Sequence, residues 1–182
     1  MNVVFHALTG FGIAHAGARG LAPEPAVIFA RRDVPVLAAT FVAGVLSHGV
    51  LDGLKHGYPV PYVLDPPLAL AMLLLWLALA SRRYRRLVLV GFAGAIFPDV
   101  LDLGAGVARF LLGWPAQKSR HFFPWHWLDG SGSMYPSTNR AANPRFAILD
   151  EGDNRAVSIT NHVIVIFFAG AAILSNRRPF RA

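Results

Sequence analysis

The sequence predicts an all-α protein: a polytopic membrane helix bundle of about five transmembrane helices, forming one domain over residues 1–182, with one long extracytoplasmic region at 102–155. Three observations predict it. Hydrophobic residues fill 54% of the chain and charged residues only 15%, against about 25% in ordinary soluble domains. The apolar residues fall into long runs. Arginines cluster beside alternate runs, as they do in the cytoplasmic connections of membrane proteins. Mean hydropathy is +0.45. So few polar side chains cannot cover a water-exposed surface. The same deficit excludes disorder, which needs low hydrophobicity and high net charge.

The first run, 1–18 (MNVVFHALTGFGIAHAGA), is the weakest. Ala14-His15-Ala16 resembles a cleavage site, but no positive n-region precedes it, so the segment reads as a retained helix. Runs at 34–51, 67–80, 87–101 and 156–174 follow. A spanning helix takes about 20 residues. The run at 67–80 therefore borrows Val63 and Leu64, and that at 87–101 continues through Leu103. The 102–155 region opens with an apolar piece at 106–114 suited to the interface. It continues through HFFPWHW at 121–127, whose aromatics suit the headgroup layer.

Ten of the seventeen Lys and Arg residues lie in the connections 19–33 and 81–86 and in the tail. Alternating five spans puts these stretches on one side, which gives an integral membrane protein with its N-terminus outside and its C-terminus cytoplasmic. The net charge of +7 is explained by this topology, so membrane lipids are the expected partners and nucleic acid is not. With no cysteine in the chain, a metal would have to use histidine and carboxylate.

Ionisable groups inside spans are costly and mark functional sites. Here they are His6, His48, Asp52, Asp99, Asp102 and His162. The topology places all six, from four segments, at one depth near the outer face. His48 and Asp52 stand at i, i+4 and share a helix face, so they can grip one ion. His56 continues the spacing among glycines where the helix is expected to end. Asp99 and Asp102 stand at i, i+3 behind Pro98, which is expected to kink or restart its helix. Asp65, before Pro66 and Pro67, reads as a loop cap. His121 and His126 read as headgroup-facing, although a mobile loop could bring either over the site.

Histidine with carboxylate suits Zn²⁺ and allows Mn²⁺ or Fe²⁺. The metal ligands expected are therefore His6, His48, Asp52, Asp99, Asp102 and His162, with Asp52 and Asp99 as catalytic carboxylates. Six ligands would serve two ions bridged by an aspartate, a device for hydrolysing phosphate esters. Lys118 and Arg120 would hold the anionic phosphate above them.

The segments FHALTG (His6), SHGVLD (His48 and Asp52) and GAIFPDVLD (Asp99 and Asp102) resemble motifs of the LexA-binding inner-membrane-associated hydrolases, a family also described as a domain of unknown function. The likeness covers about half of the chain, with the Pro-Asp motif following His-x3-Asp instead of preceding it. It implies a metal-dependent hydrolase of the bacterial inner (plasma) membrane acting on a phosphoester or a lipid headgroup. Two other functions fit parts of the pattern. The Gly/Ala-rich helices suit an accessory subunit packed among other membrane protein subunits. His48 and His162 could be axial haem ligands, which leaves the three aspartates unexplained.

Overall fold

The computed structural model describes residues 3–20, 33–53, 64–114, 122–127 and 152–176. Every regular element among them is helical. They are α1 (Val3–Gly17, closed by a 3-10 turn at Ala18–Gly20), α2 (Val34–Gly53), α3 (Asp65–Leu79), α4 (Arg85–Leu111), the single-turn α5 (Pro124–Trp127) and α6 (Gly152–Ser175). The expected runs all become helices. α4 runs on past Leu103, where its run was expected to end, to Leu111, and Asp102 stands on it as expected. Pro98 neither ends nor restarts α4.

Among the described residues, two helices are long and apolar enough to cross a membrane, Val34–Asp52 and Arg85–Gly106; Asp65–Leu79 and Ile159–Ser175 are apolar but shorter. The bundle is apolar outside. Val42, Leu46 and Val50 on α2, Leu70 and Leu74 on α3, and Ile166, Phe167 and Phe168 on α6 are all exposed. Its buried groups, in contrast, include His6, His15, His48, Asp102 and His162.

α1 is central and packs on α2, α3, α4 and α6. Side-chain contacts fix the directions. Phe5 meets His162 and His15 meets Asn176, so α1 and α6 run parallel. Val3 and Val4 meet Asp65 while Phe11 stacks on Trp76, so α3 runs the same way. Gly17 lies against Thr40 and Leu87, whereas His6 lies against Asp52; α2 and α4 therefore run the opposite way.

Small residues allow close packing where two apolar helices gain no hydrophobic drive from meeting in lipid. A Cβ on Gly94 would stand 2.4 Å from the Phe41 carbonyl oxygen, and one on Gly10 would stand 2.5 Å from that of Gly91. Only glycine lets α4 approach α2 and α1 this closely. That approach carries the polar residues one turn further along α2 and α4 to each other. Asp65 caps, but not its own loop. Its two oxygens accept the Val3 and Val4 N–H groups at 2.7 and 2.9 Å, and so close the N-terminus of α1.

Candidate metal centre

His48 and Asp52, one turn apart on α2, face Asp99 on α4, as the helical spacing requires. The fourth member is His126 from α5. One ligand atom from each of these four residues lies within 4.8 Å of the others, so the group could hold a metal ion. His48 Nε2 is 3.1 Å from Asp52 Oδ2 and 3.4 Å from Asp99 Oδ1. His126 Nε2 is 3.1 and 3.5 Å from the same two oxygens, and 3.4 Å from His48 Nε2. Ligands about 2.0–2.1 Å from a tetrahedral ion stand about 3.3 Å apart. Five of the six edges of the set therefore have the length a metal would impose.

Hydrogen bonding outside the set fixes which nitrogens face inward. His48 Nδ1 lies 2.6 Å from the Ala95 carbonyl oxygen, which can only accept, so Nδ1 carries the proton. His126 Nδ1 donates to Asp102 Oδ2 at 2.6 Å. Asp102 also accepts the N–H groups of Phe122 and Phe123 at 2.7 and 3.1 Å. Both imidazoles thus turn Nε2 toward each other and toward two carboxylates. Neutral rings would bring lone pairs together there. The set closes only with protons on Nε2 or with a cation at its centre. Each Nε2 faces two oxygens and the other ring, an arrangement that also suits ligands around an ion.

His126 lies outside the candidate spans. Burial lowers the proton affinity of its ring, but the hydrogen bonds to Asp52 and Asp102 and the negative charge of Asp99 and Asp52 outweigh this, and its pKa is raised above the ordinary 6.5.

The six expected ligands take different places. His48, Asp52 and Asp99 belong to the set. Asp102 does not: its oxygens are taken up by His126 and two backbone N–H groups. His6 stacks on His48 with ring centroids 3.8 Å apart, and its Nε2 lies 3.3 Å from Asp52 Oδ1, on the far side of that carboxylate from the set. His162 is buried at the same end but packs edge-on against Phe5, with centroids 4.3 Å apart. Among the described residues, geometry brings together one set of four ligands, where six ligands for two ions were expected. His126 was assigned to the headgroups and is instead a member. The one signal for it in the sequence is its place in an aromatic, proline-containing turn beyond α4. His56, His121, Lys118 and Arg120 lie outside the described residues.

Comparison with protein-family models, with curated proteins and with solved structures finds no match to this chain.

Proposed function

We propose that the chain is a membrane-embedded metal-dependent hydrolase whose single His/Asp centre lies near the outer membrane face and acts on a phosphoester or lipid-headgroup substrate. The observation that carries this reading is an asymmetry within the set. Two members are held from outside it by hydrogen bonds, His48 by Ala95 and His126 by Asp102, and the second oxygen of Asp52 is backed by His6 Nε2 at 3.3 Å. Among the described residues, the ion-pair partners of Asp99 are His48 and His126, both inside the set, and its side chain is 18% exposed, against 6% for Asp52 and 0% for His48. Catalytic zinc keeps three protein ligands and an open position, whereas a structural zinc takes four. His48, Asp52 and His126 are the fixed ligands in this reading. Asp99, free to turn toward solvent, accepts the proton of the attacking water.

Zn²⁺, or Mn²⁺ or Fe²⁺ in its place, would lower the pKa of bound water to about 7 and take up charge on the phosphoryl oxygens. Asp99 lies at the open side, where the substrate enters. Asp52 would offer Oδ2 to the ion, with His6 Nε2 3.3 Å from its other oxygen. Phe123 and Trp125, stacked at 5.0 Å beside His126, offer an apolar wall for a lipid substrate.

The membrane setting follows from the apolar exterior and the arginine distribution. In it α1, α2, α3, α4 and α6 form the five-span bundle of the inner membrane, N-terminus outside. The alternating helix directions support that order, and the resemblance to the inner-membrane hydrolases agrees with it.

Paired substitutions test the assignment. Asp52→Asn is expected to abolish metal binding. Asp99→Asn is expected to retain metal and to lose roughly 10²–10⁴-fold in turnover of a chromogenic phosphodiester, the usual contribution of a positioned base. Loss of metal from Asp99→Asn would make the set a closed four-ligand structural site. The chain would then read as an accessory subunit of a larger membrane complex.

A further inference from the structure

His126 is the one member of the set that does not stand on a long bundle helix. It arrives on a single turn at Pro124–Trp127, which touches the bundle mainly at α2. A ligand on so short an element needs something else to hold it. Asp102 accepts three hydrogen bonds from this segment and, among the described residues, none from elsewhere: the Phe122 and Phe123 N–H groups and the His126 ring. Its side chain is fully buried, and it stands on α4 less than one turn beyond Asp99. The second hold on the segment is the Trp125 ring, which lies where a Cβ on Gly49 would come within 2.6 Å of it.

We propose that Asp102 is the positioning residue of the metal centre, holding His126 in one tautomer and orientation and fastening the 122–127 segment over the site, so that metal binding and docking of this segment favour each other. This inference rests on the metal reading above and adds that a carboxylate which never touches the ion sets its affinity. The physical basis is twofold. A carboxylate on Nδ1–H raises the basicity of Nε2 and removes the entropy of ring rotation, and loss of such a partner weakens metal binding by about 10–100-fold. Any group bound better by the docked segment must also favour docking, by the same factor.

The test titrates Co²⁺ into the detergent-solubilised full chain and into Asp102→Asn and Asp102→Glu, following the visible absorption bands and Trp fluorescence. Wild type is expected to bind with intense bands. Asp102→Asn is expected to bind 10–100-fold more weakly, with shifted bands at saturation because His126 has lost its anionic partner. Asp102→Glu is expected to recover part of that affinity. In wild type, chymotrypsin cleavage and hydrogen exchange at 122–127 (FFPWHW) are expected to slow on Co²⁺ addition, and in Asp102→Asn only at higher Co²⁺. Helix content and melting temperature of each metal-free variant separate misfolding from weakened binding. Equal Co²⁺ affinity and identical bands in wild type and Asp102→Asn would overturn the inference while leaving the metal centre standing. Absence of Co²⁺ binding by folded wild type would overturn the metal centre itself.

Discussion

His15 and His48 are both fully buried on bundle helices, and each donates Nδ1–H to a backbone carbonyl, that of Asn176 at 3.0 Å and that of Ala95 at 2.6 Å. They lie at opposite ends of the molecule and differ in what faces Nε2. At His15 the partner is a donor, Trp76 Nε1–H at 3.2 Å. The neutral ring is satisfied on both sides. The Asn176 amide closes the arrangement by donating to the His15 carbonyl at 2.6 Å, which ties α1 to the end of α6. At His48, Nε2 faces the carboxylates of Asp52 and Asp99 and the Nε2 of His126. One end of the bundle balances donors against acceptors and functions as a clasp. The other accumulates acceptors that only protons or a cation can reconcile. Burial and residue type do not separate these two histidines, whereas the count of donors and acceptors around Nε2 does.

Substitutions that strike one end and spare the other sharpen this contrast, and metal affinity orders them. His126→Ala removes a ligand, so its loss of affinity is expected to exceed the roughly 10–100-fold of an outer partner, as measured by equilibrium dialysis. Gly94→Ala comes next. Its Cβ would meet the Phe41 carbonyl at 2.4 Å, which forces α4 away from α2 beside the Ala95–His48 bond. A loss of about 1–3 kcal/mol of stability is expected, with weaker metal binding alongside it. Gly170→Ala, with open space around the added carbon, serves as the control. The smallest effect on metal is expected from His15→Ala. It removes the partners of Trp76 and Asn176, at about 1–3 kcal/mol of stability, yet leaves affinity unchanged. Loss of metal from His15→Ala would show that the two ends are coupled and would break the comparison.

The helices were legible because apolar runs of this length have few alternatives. Three of the four members of the site were legible for a related reason. His48 and Asp52 on α2, and Asp99 on α4, are placed by helical period and by depth alone, and all three come together in three dimensions. Asp102 was placed at the right end but in the wrong role, because spacing reveals which face a carboxylate shares and not whether backbone N–H groups will occupy it. His6 and His162 reach the expected end, but the side each presents depends on tertiary neighbours, Asp52 in one case and Phe5 in the other. His126 carried no periodic signal, since a one-turn helix has no face to read. Its position is set by Asp102, 24 residues earlier.

The central claim is that His48, Asp52 and His126 hold one ion, with Asp99 beside it. Its most direct test is the metal stoichiometry of the purified, solubilised chain after dialysis against Zn²⁺, measured by elemental analysis beside His48→Ala. The account expects one equivalent per chain in the parent and none in the variant. A parent that binds no metal, or a His48→Ala chain that binds the same amount, would contradict it.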